Sequence, residues 1–298
     1  MNATLPPEEG FLCPPENFAE IARAGVVVIP VPMESTSTYG VNSSLGPEAI
    51  LEASRQVEFF DAALGFEPFR ACGGIATLKP LGPEDADGPE LAQQLRGKVM
   101  RYLKQEKFVV TIGGEHTSIV GAVKAHCEYF PNLSVLQLDA HSDLRETFED
   151  SSWSHACAMA RVLDFHDSLV QVGIRSQDKT ERHFATGRRI PNFYAHDIHN
   201  SEEEGVDWIA QVIAATRPRV YVTLDCDVMD PSILPATGTP EPGGLTWRQM
   251  DRLLSRLCRE REVVGLDVSE LAPIKGMAAS QFTAAKLIYR FLGYRFAA

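Results

Sequence analysis

Short runs of β-branched and other apolar residues alternate with longer amphipathic segments along nearly all of the 298 residues. The short runs have the length of strands, and the longer segments repeat apolar residues at helical spacing. Continuous apolar strands separated by helices are typical of a parallel sheet covered by helices on both faces. The predicted strands are 26–31, 108–113, 134–140, 169–174, 192–197, 219–225 and 262–268.

The segments between these strands predict the helices of the same α/β fold. No internal repeat or long linker divides the chain, so we predict one domain over residues 1–298, with 1–24 as an N-terminal extension. The Gly- and Pro-rich segment 82–89 is predicted to be a loop. The predicted helices are 47–56, 89–107, 118–129, 154–165, 202–215, 246–259 and 279–290.

Charge and composition exclude several classes of protein. Acidic residues outnumber basic ones by 40 to 28, which argues against binding to nucleic acid. The longest apolar runs, such as 25–32, are too short to span a bilayer, and residues 1–10 lack the basic start of a secretory signal. The six cysteines lie far apart and contain no C-x-x-C pair. We therefore expect reduced thiols in a cytoplasmic protein that binds neither nucleic acid nor membranes.

Unusual polar residues follow four of the predicted strands. In parallel sheets, functional groups gather at the carboxyl edge, where the strands end. We therefore expect these four strand ends to carry the function. Their sequences are GGEH at 113–116, DAHSD at 139–143, DCD at 225–227 and DVSE at 267–270.

Two of these strand ends carry acids at alternate positions. Asp139, His141 and Asp143 are spaced two apart, so an extended backbone directs all three side chains to one face. Asp225 and Asp227 repeat the spacing on another strand. Each Asp alone is as easily explained as a helix cap, but three strand ends with the same pattern favour a metal site. Cys226, between two of these acids, is predicted to face the core.

His116 completes this set beyond a Gly-Gly turn, where the chain can bend sharply. Four carboxylates and two imidazoles repel one another in one pocket unless cations compensate the charge. Two divalent ions held by bridging carboxylates provide that compensation. Oxygen and nitrogen ligands without thiolate favour Mn²⁺ over a structural zinc.

Three segments resemble the signature motifs of the ureohydrolases, the superfamily of arginases, agmatinases and formimidoylglutamases. The resemblance runs from about residue 26 to 290, with the motifs in the order of that family, and further matches lie at 235–240, 243–245 and 265–270. The three segments are GGEHT at 113–117, LDAHSD at 138–143 and TLDCDVMDP at 223–231.

This resemblance implies a three-layer α/β/α sandwich around an eight-stranded parallel sheet, a binuclear manganese centre, and assembly as a homotrimer or homohexamer. It places Asp139 and Asp225 between the ions and assigns Asp230 to a turn rather than to a metal. The implied ligands are His116, Asp139, Asp143 and Asp225 for one Mn²⁺, and Asp139, His141, Asp225 and Asp227 for the other.

The resemblance also implies a reaction. Two metals that share a solvent molecule present it as hydroxide, which attacks the carbon of a guanidinium group. Glu270 matches the carboxylate that accepts hydrogen bonds from the guanidinium. His155 matches the histidine that carries a proton to the leaving amine. We therefore predict His155, Glu270 and the ligand Asp143 as catalytic residues.

The loop after Asp143 resembles that of bacterial and archaeal agmatinases, which predicts agmatine as the substrate, with putrescine and urea as products. Three acids there, Glu146, Glu149 and Asp150, suit a substrate whose far end is an ammonium, and Arg145 is expected to turn away. An ordinary solvated loop would explain each of these acids equally well.

Alternatives remain open at this point. The segment 39–45 departs from the Gly-rich turn with a basic residue that usually borders the active-site mouth of the family. Asp178 could bind an amine as in arginases, so this position does not exclude arginine. Guanidinobutyrate and guanidine also stay possible substrates. Metal-dependent deacetylases share the fold but lack the paired acid motifs. A non-catalytic binding member would be expected to have lost a ligand or Glu270.

Overall fold

A computed structural model describes residues 4–82 and 88–297 of the chain. Most of the predicted loop at 82–89 therefore lies outside the described residues. The described strands form one eight-stranded sheet in the order β2-β1-β3-β8-β7-β4-β5-β6, with every neighbouring pair parallel. The predicted α/β fold with an eight-stranded parallel sheet is confirmed.

The elements are numbered in chain order. The strands are β1 (Val26–Val31), β2 (Ile75–Thr77), β3 (Phe108–Gly113), β4 (Leu133–Leu138), β5 (Leu169–Val172), β6 (Asn192–Phe193), β7 (Arg219–Asp225) and β8 (Glu262–Ser269). The helices are α1 (Glu16–Ala19), α2 (Gly46–Ser54), α3 (Pro68–Ala71), α4 (Gly88–Leu103), α5 (Val120–Tyr129), α6 (Ala158–Leu163), α7 (Lys179–Arg188), α8 (Ala195–Glu203), α9 (Trp208–Ala214), α10 (Trp247–Glu260) and α11 (Ala279–Phe296). Short 3₁₀ turns lie at Pro7–Glu9, Ser43–Leu45, His116–Ile119, His155–Cys157 and Cys226–Val228.

Alternate side chains of the strands enter different cores, which gives the three layers. In β1, Val26 and Val28 belong to one apolar cluster, whereas Val27 and Ile29 belong to another. Residues of α2, α9, α10 and α11 share the first cluster, and residues of α4 and α5 share the second. Because all six side chains of β1 are buried, the sheet is covered on both faces.

Several predicted elements differ from the structure. The predicted strand 192–197 ends at Phe193 because α8 begins at Ala195, and β6 is an edge strand that pairs only with β5. The predicted helix 202–215 is two helices, because the chain turns at Gly205, where φ is +74°. Strand β2 has three residues, and the prediction omitted it together with α1, α3 and α7.

The predicted extension at 1–24 contacts the rest of the chain over its described part. Phe11 and Leu12 are fully buried. The backbone N–H of Phe11 donates to Thr77 Oγ1 at 2.9 Å, and that of Leu12 donates to Ser54 Oγ at 2.7 Å. Residues 4–24 therefore contribute to the core. Among the described residues, no helix has the length and apolar character needed to cross a membrane.

The strand order brings together the four strand ends that carry the polar motifs. Strands β3, β8, β7 and β4 are consecutive neighbours in the sheet. Thr111 of β3 and Thr223 of β7 both stand opposite Asp267 of β8, and Gln137 of β4 stands opposite Thr223. Because the strands are parallel, their carboxyl ends meet at one edge.

Candidate metal centre and active site

The fold places His116 beside the sheet through a close backbone approach. A side chain on Gly114 would lie 2.1 Å from the carbonyl oxygen of Met33, so only glycine fits there. The N–H of Glu115 donates to that carbonyl at 2.8 Å, which joins the chain after β3 to the chain after β1. His116 then begins a 3₁₀ turn and is fully buried.

The first candidate metal-binding group surrounds Nδ1 of His116. This atom lies 2.9 Å from Asp143 Oδ2, 3.2 Å from Asp139 Oδ2 and 3.7 Å from Asp225 Oδ2. All three carboxylates are at least nine-tenths buried. Asp143 has a left-handed backbone with φ of +53°, an unfavourable conformation for a residue other than glycine that is often found at functional sites.

The second group consists of His141, Asp227 and Asp139. Nδ1 of His141 lies 2.8 Å from Asp227 Oδ2 and 3.9 Å from Asp139 Oδ1. Asp139 belongs to both groups of candidate ligand atoms, whereas Asp225 belongs to the first. All six residues predicted as metal ligands therefore lie together at the carboxyl edge of the sheet.

Without cations, these groups perturb one another strongly. Burial and the charges of Asp143 and Asp227 raise the pKa of Asp139 to about 7. Burial and the charges of Asp227 and Asp139 raise the pKa of Asp225 well above its usual range. Burial lowers the pKa of His141, but the charge and hydrogen bond of Asp227 and the charges of Asp139 and Asp143 together outweigh it and raise that pKa to about 10. The centre has excess negative charge in a dry environment, which a pair of divalent cations would compensate.

The donor set also has the chemistry of a metal site. It offers imidazole nitrogen and carboxylate oxygen without any thiolate, a combination that suits Mn²⁺ and similar ions. Cys226 is fully buried, as predicted for a residue that faces the core. Its sulfur is absent from the candidate ligand groups found among the described residues. The residues present therefore fit two divalent cations.

A hydrogen-bond chain behind His116 orients its ring. Nε2 of His116 lies 2.9 Å from Thr223 Oγ1, and this hydroxyl donates to Asp267 Oδ1 at 2.8 Å. All three residues are buried. If Nε2–H donates to the hydroxyl, Nδ1 is free to bind a cation, as second-shell partners of metal-bound histidines usually arrange. The sequence motif at 267–270 contains Asp267, but its residue pattern does not predict this role.

Glu270 lies at the end of β8 with an unusual backbone. Its φ is +63°, and its Oε1 accepts the backbone N–H of His116 at 2.7 Å. Burial and the charge of Glu115 raise the pKa of Glu270 well above its usual range. A bound cation, including a guanidinium, would favour the ionised carboxylate. Glu270 is half-buried and borders the main cavity.

His155 stands on the 3₁₀ turn before α6 and also borders this cavity. Its Nδ1 lies 3.1 Å from Thr36 Oγ1, and its ring meets the ring of Phe148 edge-on, with the centroids 5.8 Å apart. The imidazole is therefore held by contacts on two sides while the side chain stays half-buried.

One cavity of about 410 Å³ joins the metal groups to His155 and Glu270. Its volume is in the range of sites for small molecules. His116 and Asp139 are buried next to it. The residues that line the cavity are Ser37, Thr38, Tyr39, Gly40, His141, Asp143, Arg145, Phe148, His155, Ala156, Ser176, Gln177, Asp178, Glu181, Asp225, Asp227, Gly238, Thr239, Glu241 and Glu270.

The acids predicted to bind the substrate do not line this cavity. Glu146 is highly exposed and pairs with Arg161 at 3.2 Å. Glu149 and Asp150 have φ of +48° and +63° and form the tip of a tight turn between Phe148 and Ser151. Two consecutive positive φ values are typical of a type I′ turn, which places both acids at the tip of a hairpin. From this loop, Phe148 lines the cavity instead.

Arg145 also differs from the prediction that it turns away, because it lines the cavity. Its Nε lies 3.6 Å from Glu181 Oε2, and its guanidinium stands 4.6 Å from the centre of the Phe148 ring. Glu181 is buried and also accepts the backbone N–H groups of Leu144 and Asp178, at 2.9 and 2.7 Å. The positive charge at this wall therefore has a neighbouring carboxylate.

Other acids occupy the place that the prediction gave to the 146–150 loop. Asp178 and Glu241 line the cavity along with Glu181. Asp178 is the N-cap of α7 and forms a capping box with Glu181, a signal that the sequence contained and the helix prediction missed. Nothing in the local sequence around Glu241 marks it, because its position depends on the loop after β7.

The parallel sheet and the paired histidine–carboxylate groups define an α/β protein with the donor set of a metal-dependent enzyme. The chain belongs to the Arginase family, whose model matches residues 24–293. It is a ureohydrolase, a hydrolase that acts on the C–N bonds of linear amidines.

Relatives that match most of the chain include N(1)-aminopropylagmatine ureohydrolases and agmatinases. An N(1)-aminopropylagmatine ureohydrolase of Synechocystis sp. is 37% identical over 94% of this chain and 92% of its own length. One of Thermus thermophilus is 39% identical over 92% of this chain and 91% of its own length. An agmatinase of Bacillus cereus is 32% identical over 88% of this chain and 91% of its own length.

Solved structures agree on the fold. The agmatine ureohydrolase of Thermoplasma volcanium has a TM-score of 0.80 and 28% identity, covering 92% of this chain and 90% of that one. The proclavaminate amidino hydrolase of Streptomyces clavuligerus has a TM-score of 0.82 and 26% identity, covering 97% of each chain. An arginase of Bacillus subtilis has a TM-score of 0.75 and 23% identity, covering 90% of this chain and 98% of that one. At this identity the likeness shows the shared fold alone.

Proposed function

We propose that this protein is a binuclear manganese hydrolase that releases urea from a guanidino compound with an amine-bearing tail. The observation that carries this proposal is one cavity with metal-ligating carboxylates at its floor and the acids Asp178, Glu181 and Glu241 on its wall. N(1)-aminopropylagmatine is the first candidate substrate, and agmatine, which would yield putrescine, is the second.

The metal ligands would be divided between two ions. His116, Asp139, Asp143 and Asp225 would hold one Mn²⁺, and His141 and Asp227 would join Asp139 and Asp225 at the other. When bound, two such ions compensate the carboxylate charge and supply hydroxide from water at neutral pH. The protein's part is to hold these ligands on adjacent strand ends before any ion arrives.

Glu270 would bind the guanidinium. It is half-buried at the cavity floor and keeps one oxygen on the backbone N–H of His116. The cationic substrate would favour its ionised form, and a planar guanidinium can donate two hydrogen bonds to a carboxylate. This contact would hold the substrate carbon over the metal edge, so that the attack has a defined direction.

His155 would transfer the proton. Hydrolysis converts the guanidinium and one water into urea and an amine, and the departing nitrogen must gain a proton as its C–N bond breaks. His155 borders the same cavity as the metal ligands and Glu270. Imidazole is the side chain that most readily gains and loses a proton near neutral pH.

The charge of the cavity wall favours a cationic tail. Asp178 and Glu241 offer negative charge, and Arg145 has Glu181 beside it. The aminopropyl group of N(1)-aminopropylagmatine adds a second cationic nitrogen to the tail. Arginine instead carries a carboxylate, which these acids would repel. A poorly paired carboxylate in a partly dry cavity costs roughly a hundredfold in kcat/KM.

The experiment is a urea-release assay of the Mn²⁺-loaded protein with N(1)-aminopropylagmatine, agmatine, arginine, guanidinobutyrate and guanidine. We expect kcat/KM to be highest for N(1)-aminopropylagmatine, lower for agmatine, and at least tenfold lower again for the three others. Activity on arginine equal to that on either amine-tailed compound would contradict the assigned specificity. Absence of urea release from all five would contradict the catalytic proposal and favour a binding member.

We also propose a single-domain, cytoplasmic protein that assembles as a homotrimer or homohexamer. The six cysteines are all unpaired, which is consistent with a reducing compartment. The assembly follows from the family resemblance, and light scattering coupled to size-exclusion chromatography measures it directly. A monomeric mass would contradict it.

A further inference from the structure

We infer that Thr36, backed by Glu115, holds His155 in the tautomer that carries its proton on Nδ1, so that Nε2 faces the cavity as the proton-transferring atom. Thr36 is in this view a positioning residue. The inference rests on the proposed role of His155 in proton transfer. Thr36 lies 119 residues away from His155 in the chain, and no motif connects the two.

The evidence begins with three contacts of one hydroxyl group. Thr36 Oγ1 accepts the backbone N–H of His155 at 2.9 Å. The same oxygen lies 3.1 Å from His155 Nδ1 and 3.1 Å from Glu115 Oε2. Thr36 thus contacts both the backbone and the ring of His155 on one side and a carboxylate on the other.

The donor and acceptor capacity of a hydroxyl then decides the tautomer. A threonine hydroxyl has one proton to donate and two lone pairs. Both oxygens of the Glu115 carboxylate accept hydrogen bonds, so the proton of Thr36 goes to Glu115. The backbone N–H of His155 occupies one lone pair. The remaining lone pair of Thr36 Oγ1 can only accept a proton from Nδ1, so Nδ1 of His155 is the donor. In a neutral ring this leaves Nε2, on the other edge, without a proton.

Glu115 is constrained to be the acceptor. It is fully buried, and its Oε2 accepts the backbone N–H groups of Ser35 and Thr36, each at 2.8 Å. Its Oε1 accepts the hydroxyl of Thr117 at 2.7 Å. These donors occupy both oxygens of the carboxylate and hold it in place as an acceptor.

The backbone around Gly114 determines the geometry of this chain of contacts. The N–H of Glu115 donates to the carbonyl of Met33, so the segment after β1 runs beside the segment after β3. This pairing places Thr36 over the carboxylate of Glu115. A competing partner for Nδ1, the hydroxyl of Ser154, lies farther away at 3.4 Å.

The tautomer matters for the direction of proton transfer. A neutral ring with a bare Nε2 can take a proton from a water in the cavity and then give it to the leaving amine. During this interval both ring nitrogens carry protons, and Nδ1–H still donates to Thr36. The opposite tautomer would present Nε2–H to the cavity and could not accept. Fixing the tautomer of a catalytic histidine through its other nitrogen is a general device.

The test compares three variants with the wild-type Mn²⁺-loaded protein. Thr36→Val keeps the shape and removes the hydroxyl, and Thr36→Ser keeps the hydroxyl. Thr186→Val is the matched control, because the exposed hydroxyl of Thr186 donates to the carbonyl of Arg182 within its own helix. We expect kcat for Thr36→Val to fall about tenfold to a hundredfold, with KM changed by no more than about twofold. Thr36→Ser should recover most of the rate, and Thr186→Val should stay near wild type.

Neutron crystallography of the wild-type protein locates the protons on the His155 ring. It should show a deuteron on Nδ1 and none on Nε2. A deuteron on Nε2 with a bare Nδ1 overturns the inference. So does an unchanged kcat in Thr36→Val while His155→Ala is impaired. Loss of fold in Thr36→Val would be visible in its melting temperature, in which case Thr36→Ser and the neutron structure decide.

Failure of the proposed proton transfer is recognised separately. If His155→Ala releases urea at the wild-type rate, the catalytic role of His155 is wrong. The position of the deuteron then still supports or overturns the hydrogen-bond assignment, independently of the turnover rate.

Discussion

The guanidinium of Arg175 donates to the backbone carbonyl of Asp227 at 2.6 Å, so a half-buried arginine after β5 holds the backbone of a predicted metal ligand after β7. The same Nη2 atom donates to the carbonyl of Glu241 at 2.7 Å. A side chain on Gly244 would lie 2.7 Å from this nitrogen, so glycine leaves room for the contact. Arg175 therefore joins the metal edge to the loop that carries an acid of the cavity wall.

Replacing Arg175 should weaken both the candidate metal centre and the loop that carries Glu241. In Arg175→Met the carbonyls of Asp227 and Glu241 lose their donors, and each unpaired group costs about 1–3 kcal/mol when it is buried. We expect the melting temperature to fall and the affinity for the second Mn²⁺ to drop about tenfold. Calorimetry and metal titration measure both, with the exposed Arg182→Met as control. Wild-type metal affinity in Arg175→Met would show that this contact does not position Asp227.

Asp139 should be the most sensitive of the metal ligands, because it belongs to both groups of candidate ligand atoms. Asp139→Asn removes a charge that both cations share. We expect less than one Mn²⁺ to remain bound per chain and urea release to fall by at least about a hundredfold. Metal analysis after gel filtration checks this, and the exposed Asp197→Asn should keep both ions. Two retained ions with near-normal turnover would show that the assigned centre is wrong.

Asp178 offers a separate test of the substrate tail. Asp178→Asn can keep the cap of α7, because the remaining carbonyl oxygen still accepts the N–H of Thr180, but it loses the negative charge. We expect kcat/KM for N(1)-aminopropylagmatine to fall severalfold at low salt, and less at high salt, where exposed charges are screened. Arginine should lose nothing or improve. Asp164→Asn, outside the cavity, is the control, and an equal loss for all substrates would contradict a contact with the tail.

His126 makes folding stability depend on pH without any part in the reaction. Its ring is fully buried against Tyr221, and burial lowers its pKa from 6.5 to about 4. The unfolded chain therefore binds a proton between these values that the folded chain does not. Stability should be complete above pH 6.5 and should fall by about 3 kcal/mol as the pH decreases to 4.

The check is chemical denaturation of metal-free wild type and His126→Leu across this range. Removing the metals from both proteins cancels the titration of the metal ligands in the comparison. The variant should show a shallower loss of unfolding free energy with falling pH. Parallel curves would mean that His126 is not the group responsible.

Much of the fold and of the metal centre could be predicted because both depend on local patterns. Strand β1 follows from a short β-branched run, and the sharing of one face by Asp139, His141 and Asp143 follows from the two-residue period of an extended chain. These three side chains lie close to Asp225 and Asp227 because the carboxyl ends of parallel strands meet at one edge of the sheet. Elements with weak local signals, such as the three-residue β2, were missed.

The wall of the cavity could not be predicted in this way, because it depends on contacts between distant parts of the chain and on backbone angles. Glu149 and Asp150 occupy a turn tip because two successive residues there take positive φ, and a count of acids contains no such information. Arg145 lines the cavity beside Glu181 of α7, a helix that the prediction omitted.

The same distinction separates the two kinds of histidine in this protein. His116 and His141 stand in motifs where ligand chemistry is visible from spacing. The hydrogen bond of His155 to Thr36 forms only when the chain after β1 and the chain before α6 meet at the cavity. Residue types and their periodicity therefore predict which groups can bind metal. The long-range packing of loops decides which acids line the cavity and which nitrogen of His155 contacts Thr36, because these depend on distances that no local pattern encodes.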